Sequence, residues 1–146
     1  MYIVNSLHDI LDRLLELVVL LNEDMTQALA REGLTVPRAH LLWLLHHQGP
    51  STQRALADAL KVTPRNVTGL VDGLAASGHV TREPHPRDRR ATLVSLTDRA
   101  AATLAEMDGQ HKQLAELLFG GMGERQRVAF ASGLDHVTEQ LREALR

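Results

Sequence analysis

The spacing of apolar positions shifts along this chain from a helical period to a strand period and back, and the shifts mark out its elements. Residues 6–31 are predicted to form one helix, apolar nearly all round between Leu14 and Leu21, which calls for burial on more than one side. Thr35, with Pro37 in the first turn, opens a helix over Val36–Gln48 that presents Leu41, Leu42, Leu44 and Leu45 and holds Trp43. Ser51, an N-cap residue type, opens a short helix through Gln53–Leu60 with Leu56 and Leu60 on its apolar side. After a turn at Lys61-Val62, Thr63 supplies the next N-cap. Pro64 takes the first helical position, where its missing N–H costs nothing. In the helix Pro64–Ser77, Val67, Leu70, Val71 and Leu74 share an inward face, while Arg65, Thr68, Gly69 and Asp72 share another. Gly78 ends that helix as a C′ glycine, and His79–Glu83 alternates as a strand. Pro84 and Pro86 are then expected to forbid further ladder pairing and to force the following tip into the open.

The tip is Arg87-Asp88-Arg89-Arg90, followed by a second short apolar run that closes at Thr97. Beyond it Ala100, Leu104, Met107, His111, Leu114 and Leu118 step by four and three in alternation, a heptad seam. Gly120-Gly121-Met122-Gly123 breaks the helix, and Phe130, Leu134, Val137, Leu141 and Ala144 repeat the pattern on a last helix that can fold back. The order helix, turn, helix, strand, basic tip, strand is that of a winged helix-turn-helix. The fold class is therefore mainly α, an α+β winged helix with long helices on both flanks.

A tip of Arg87, Asp88, Arg89 and Arg90 beside a helix face carrying Arg65, Asn66 and Thr68 is what a duplex-reading surface needs. Cations neutralise phosphate, and short polar side chains reach base edges in the major groove. The whole-chain charge of −2 looks wrong for such a partner until it is divided: residues 34–96 carry +4, residues 1–33 carry −4 and residues 97–146 carry −2. Asp72 would repel phosphate, so it is expected to pair with a wing or helix arginine, Arg82 foremost, and to act structurally.

On Thr63-Pro64-Arg65-Asn66-Val67-Thr68-Gly69-Leu70-Val71-Asp72-Gly73-Leu74, Gly78-His79-Val80-Thr81-Arg82, Pro86-Arg87-Asp88-Arg89-Arg90-Ala91 and Leu96-Thr97, the chain resembles the MarR family of bacterial regulators. The resemblance implies a homodimeric repressor of one domain. Residues 34–96 would be its DNA-binding part, and 1–33 with 97–146 its helical dimerisation region. It places helix Pro64–Ser77 in the major groove and Arg90 in the adjacent minor groove, oriented by Asp88. Ser51, Thr63, Pro64, Arg65, Asn66, Thr68, Gly69, Arg87, Asp88, Arg89 and Arg90 are the DNA-binding candidates. The resemblance also implies a small phenolic or lipophilic effector in a cleft between the linking helix, the first helix and the long fifth helix, with Met25, His40, Trp43, Met107 and His111 as candidate lining.

The chain contains no cysteine, which leaves out a disulfide framework and a thiol switch. The apolar run Leu14–Leu21, interrupted by Glu16, is too short to span a bilayer, and no basic segment of a cleavable signal precedes it, so a cytoplasmic protein is expected. A Gly-rich phosphate loop, a Gly-x-Ser-x-Gly turn and an apolar-flanked carboxylate pair are all missing, so no catalytic residue and no cofactor is assigned. Two alternatives remain. His40, His47, Glu106 and His111 could make a metal-responsive site, although no pair has the i, i+4 spacing that preorganises two ligands. A winged helix could instead bind protein as an adaptor, for which the basic middle segment has no use.

Overall fold

A computed structural model describes residues 6–146. The first five residues, counted by the sequence with the dimerisation region and with the expected N-terminus, lie outside the described residues. Six helices and three short strands follow in the order α1 (Leu7–Arg31), α2 (Val36–Gln48), β1 (Ser51–Thr52), α3 (Gln53–Leu60), α4 (Pro64–Ala76), β2 (Val80–Pro84), β3 (Thr92–Leu96), α5 (Asp98–Phe119) and α6 (Glu124–Ala144). Hydroxyl caps start the first four helices. Ser6 Oγ accepts the Asp9 N–H at 3.1 Å, Thr35 Oγ1 that of Arg38 at 3.4 Å, Thr52 Oγ1 that of Ala55 at 3.1 Å and Thr63 Oγ1 that of Asn66 at 3.1 Å.

The cap of α3 corrects the sequence expectation. Thr52 holds it, not Ser51, because Ser51 belongs to β1, where it pairs with Val94, and its hydroxyl donates to the Gly49 carbonyl at 2.9 Å. A second correction concerns Pro84. It does not end the ladder but closes β2 opposite Thr92, and the His85 N–H still donates to the Ala91 carbonyl at 3.1 Å. Pro84 sits where no ladder N–H is required of it, on the edge strand of a sheet ordered β1-β3-β2.

The chain forms two compact units, the first ending at Leu104 and the second covering Ala105–Arg146. The first has its core where α2, α3, α4 and β3 meet: Leu41, Leu42, Leu56, Val67, Val71, Leu74 and Val94 are completely buried. Each such side chain contributes about 1.5–3 kcal/mol relative to remaining in water. Gly78, at φ +81°, lets α4 stop within one residue and send His79 back under the helix, where its N–H donates to the Leu74 carbonyl at 2.8 Å. Ala100 and Leu104 of the heptad seam are buried in this unit.

The second unit is a helical hairpin. The glycine break falls between Phe119 and Glu124, and α6 folds back so that the rings of Phe119 and Phe130 lie 5.8 Å apart. No residue of α6 is buried; Leu134, Val137 and Leu141 are exposed, as are Ile10, Leu11, Leu15, Val18, Val19 and Leu20 on α1. Among the described residues no helix is long and apolar enough to cross a membrane.

Candidate nucleic-acid interface

Helix α4 is divided lengthwise by its sequence. Val67, Val71 and Leu74 anchor it in the core, and this leaves Arg65, Asn66, Thr68 and Gly69 exposed with Thr63 and Pro64 at its N-terminal end. The unpaired N–H groups of that end add a positive potential to Arg65. Gly69 lies in mid-helix, and a Cβ built there would meet nothing within 4 Å, so no protein contact requires a glycine at that point.

A clamp ties this helix to the strand leading to the wing. The Arg82 guanidinium on β2 pairs with the Asp72 carboxylate on α4, as the sequence suggested, and its Nε also donates to Gln53 Oε1 on α3 at 3.2 Å. Gln53 Nε2 in turn donates to Thr68 Oγ1 at 3.2 Å, and that hydroxyl donates to the Pro64 carbonyl at 3.0 Å. Asp72 is therefore neutralised without removing a cation from the exposed face. Thr68 has one hydroxyl lone pair left over and offers mainly its methyl group.

The wing tip is held by its own side chains. His85 Nδ1 accepts the N–H groups of Arg87 and Asp88, both at 3.1 Å, and Asp88 Oδ1 accepts the Arg90 N–H at 3.0 Å. The Asp88 carbonyl accepts the Ala91 N–H at 3.1 Å. Asp88 thus acts on Arg90 through its backbone; no ion pair joins the two side chains. Arg87, Arg89 and Arg90 all point into solvent, and among the described residues neither they nor Arg65 have a carboxylate within ion-pair distance. The tip therefore presents three unneutralised cations within four residues.

Ser51 is half-buried and its hydroxyl is committed to Gly49, so it differs from the other DNA-binding candidates, which are exposed. Of the predicted effector-site residues, Met25, His40 and Trp43 belong to the first unit and Met107 and His111 to the second. Trp43 is half-buried on α2, edge-on to His46 at 5.6 Å and stacked on His47 at 6.1 Å. A shallow cavity of about 260 Å³ in the second unit is lined by Phe119, Arg127, Phe130, Ala131 and Leu134, none of them among those five. Among the described residues no three His, Asp or Glu side chains converge as a metal-ligand group.

Three residues went unnoticed in the sequence. Arg38 lays its guanidinium across Gly73, where a Cβ would come within 3.0 Å of it. Gln53 joins three elements through contacts fifteen and twenty-nine residues away, which no local pattern announces. His79 is 1% exposed; its Nδ1 bonds Ser77 Oγ at 2.6 Å while Nε2 has no partner. Its pKa is lowered, first by burial and then by the Arg99 charge, against an opposing pull from Glu32.

Comparison with known proteins agrees with this geometry. The family model described as MarR family matches residues 34–92. The chain is 38% identical to the HTH-type transcriptional repressor NicR of Pseudomonas putida over 88 residues, which are 60% of this chain and 56% of NicR, so the match spans little more than half of that relative. The crystal structure of Rv1404 from Mycobacterium tuberculosis superposes with a TM-score of 0.80 at 27% identity, covering 95% of this chain and 97% of that one. The Staphylococcus aureus MepR–DNA complex has a TM-score of 0.75 at 20% identity, over 86% of this chain and 95% of MepR, a likeness of fold.

Proposed function

We propose that the chain is a cytoplasmic transcriptional repressor of the MarR family of winged helix-turn-helix regulators, and that it binds double-stranded DNA sequence-specifically as a homodimer. One observation carries this reading: Arg65 at the capped end of α4 and Arg87, Arg89 and Arg90 on the wing are exposed and unneutralised. In this reading α4 enters the major groove with Arg65 and Asn66 at base edges, and Thr68 and Gly69 lie along the same face. Arg90 reaches the adjacent minor groove while Arg87 and Arg89 hold phosphate. Thr63 and Pro64 set the depth of entry by fixing where the helix begins, and Asp88 shapes the wing.

Residues 34–96 are the reading head in this scheme, and 1–33 with 97–146 join the two protomers. The apolar residues that α1 and α6 leave in water support that division, since such surfaces are usually covered by a partner. Two heads related by a two-fold axis read a pseudo-palindrome with half-site centres about 10 bp apart. A small aromatic or lipophilic effector would release the DNA by favouring a spacing of the heads that no longer fits successive grooves.

Selection from a random duplex pool, followed by sedimentation of the protein alone and with the selected duplex, tests the proposal. The expected result is a pseudo-palindrome bound by two protomers that are already paired without DNA. A monomer bound to an asymmetric site with full affinity contradicts the dimer, and failure to enrich any sequence supports the adaptor alternative instead.

A further inference from the structure

The wing tip runs from His85 to Ala91 and carries three arginines whose mutual repulsion opposes a compact turn. What closes it is a circuit. The His85 N–H donates to the Ala91 carbonyl, the Ala91 N–H to the Asp88 carbonyl, and the Asp88 N–H to His85 Nδ1, each at 3.1 Å. The Arg87 N–H joins the same ring nitrogen at 3.1 Å. One imidazole thus holds two of the backbone groups that aim the arginines, a task usually given to the side-chain oxygen of Asp or Asn. An imidazole nitrogen accepts hydrogen bonds only when it carries no proton, so the ring must be neutral with its hydrogen on Nε2.

We propose that His85 is a positioning residue for DNA binding, which as a neutral Nδ1 acceptor holds the wing tip in the form that presents Arg87, Arg89 and Arg90 to DNA. The proposal rests on the DNA-binding reading above. Protonation of the ring replaces the acceptor with a donor facing two further donors, and the tip opens. The charged residues of the elements that meet at the ring are Arg87, Asp88, Arg89 and Arg90 on the tip and Arg82 and Glu83 on β2, with the Arg82 guanidinium held by Asp72 and Gln53; β3, Thr92–Leu96, has none. Asp88 accepts the Arg90 N–H from its own side of the turn, so it cannot take over both bonds made by the ring.

The test has one arm without DNA and one with it. In the free protein, nitrogen NMR should find Nδ1 of His85 to be the unprotonated nitrogen, and the amide signals of Arg87 and Asp88 should move together as the ring is protonated. In binding measurements, His85→Ala should weaken the selected duplex about tenfold, roughly 1.4 kcal/mol. His85→Asn, whose side-chain oxygen can accept the same two N–H groups, should restore most of that loss. Amides of Arg87 and Asp88 that ignore the state of residue 85 overturn the proposal whatever the DNA result. Responsive amides together with an unimpaired His85→Ala protein also overturn it, because the tip would then be held by the ring to no purpose in binding. If Arg89→Ala and Arg90→Ala are themselves without effect on binding, the fault lies in the DNA-binding reading, and the proposal falls with it.

Discussion

Gly69 offers a substitution whose effects on stability and on DNA binding should have opposite signs. It lies inside α4, six residues into a thirteen-residue helix, and apart from its chain neighbours and the helix's own backbone no heavy atom lies within 4 Å of the Cβ position. Glycine in a helix interior costs about 0.5–1 kcal/mol relative to alanine, because it loses more backbone freedom on folding. With no contact to offset the gain, Gly69→Ala should stabilise the protein by that amount. At about 2–4 °C per kcal/mol for a chain of this size, Tm should rise by about 1–4 °C at fixed protomer concentration. Gly73→Ala is the internal comparison. Its Cβ would displace the Arg38 guanidinium, so its gain should be smaller. If the exposed side of α4 lies against base pairs, the added methyl at position 69 has no room there. Overpacking costs of about 1–3 kcal/mol are typical, so affinity for the selected duplex should fall about five- to 150-fold. Thermal denaturation and a fluorescence-anisotropy titration measure the two effects on one preparation. A Gly69→Ala protein that is stabilised and binds DNA as well as the parent, while Arg65→Ala does not, would move Gly69 out of the interface. A destabilised one would refute the open environment at Gly69.

Three further expectations follow from the same geometry. Asp72→Ala should lower stability by at most about 1 kcal/mol, since Asp72 is 62% exposed and solvent screens its pair with Arg82; a double-mutant cycle with Arg82→Ala in urea should give a coupling that shrinks in high salt, and no coupling would refute the clamp. Burial and Arg99 lower the pKa of His79 from its ordinary 6.5, so the unfolded chain binds the proton more readily than the folded one; stability should be complete above about pH 6.5, decline as pH falls toward the lowered folded value, and decline less in His79→Asn. Trp43 is the sole tryptophan, so a phenolic or lipophilic effector bound beside it should change its emission at the concentrations that dissociate the DNA complex; titration at constant pH is needed, because His46 and His47 pack against the ring.

The sequence marks the helices clearly, because their starts and stops are local: Thr35, Thr63, Gly78 and the glycine run before Glu124 all act where they were expected to. What it obscures is decided by distant partners. Ser51 and Thr52 are equally good caps, and only the pairing of Ser51 with Val94, forty-three residues on, hands the cap to Thr52. Pro84 stays in the ladder because β2 is an edge strand, a matter of sheet order. The cations of the candidate interface are legible because they form one charged run and one helix face. Arg82 is legible as well, through the charge of Asp72 that needs a partner. Gln53 is not, because a hydrogen bond made across the fold leaves no period in the chain, and His85 is not, because a histidine in place of Asp or Asn gives no turn signal even though its bonds are local. The apolar stripe of α1 shows a third case: its sequence calls for burial, and within one chain most of it remains in water.

The central claim is that this fold grips the backbone of a duplex with its wing and reads bases with α4. The most direct test is the salt dependence of binding, measured on the selected duplex for the parent protein and for the Arg87→Ala/Arg89→Ala double variant, which loses the two wing cations assigned to phosphate. Each phosphate neutralised contributes about −0.9 to the slope of log K against log salt. The parent should show a steep negative slope, and the double variant one shallower by about 2. A slope near zero in the parent, or an unchanged slope when both arginines are removed, would contradict the account.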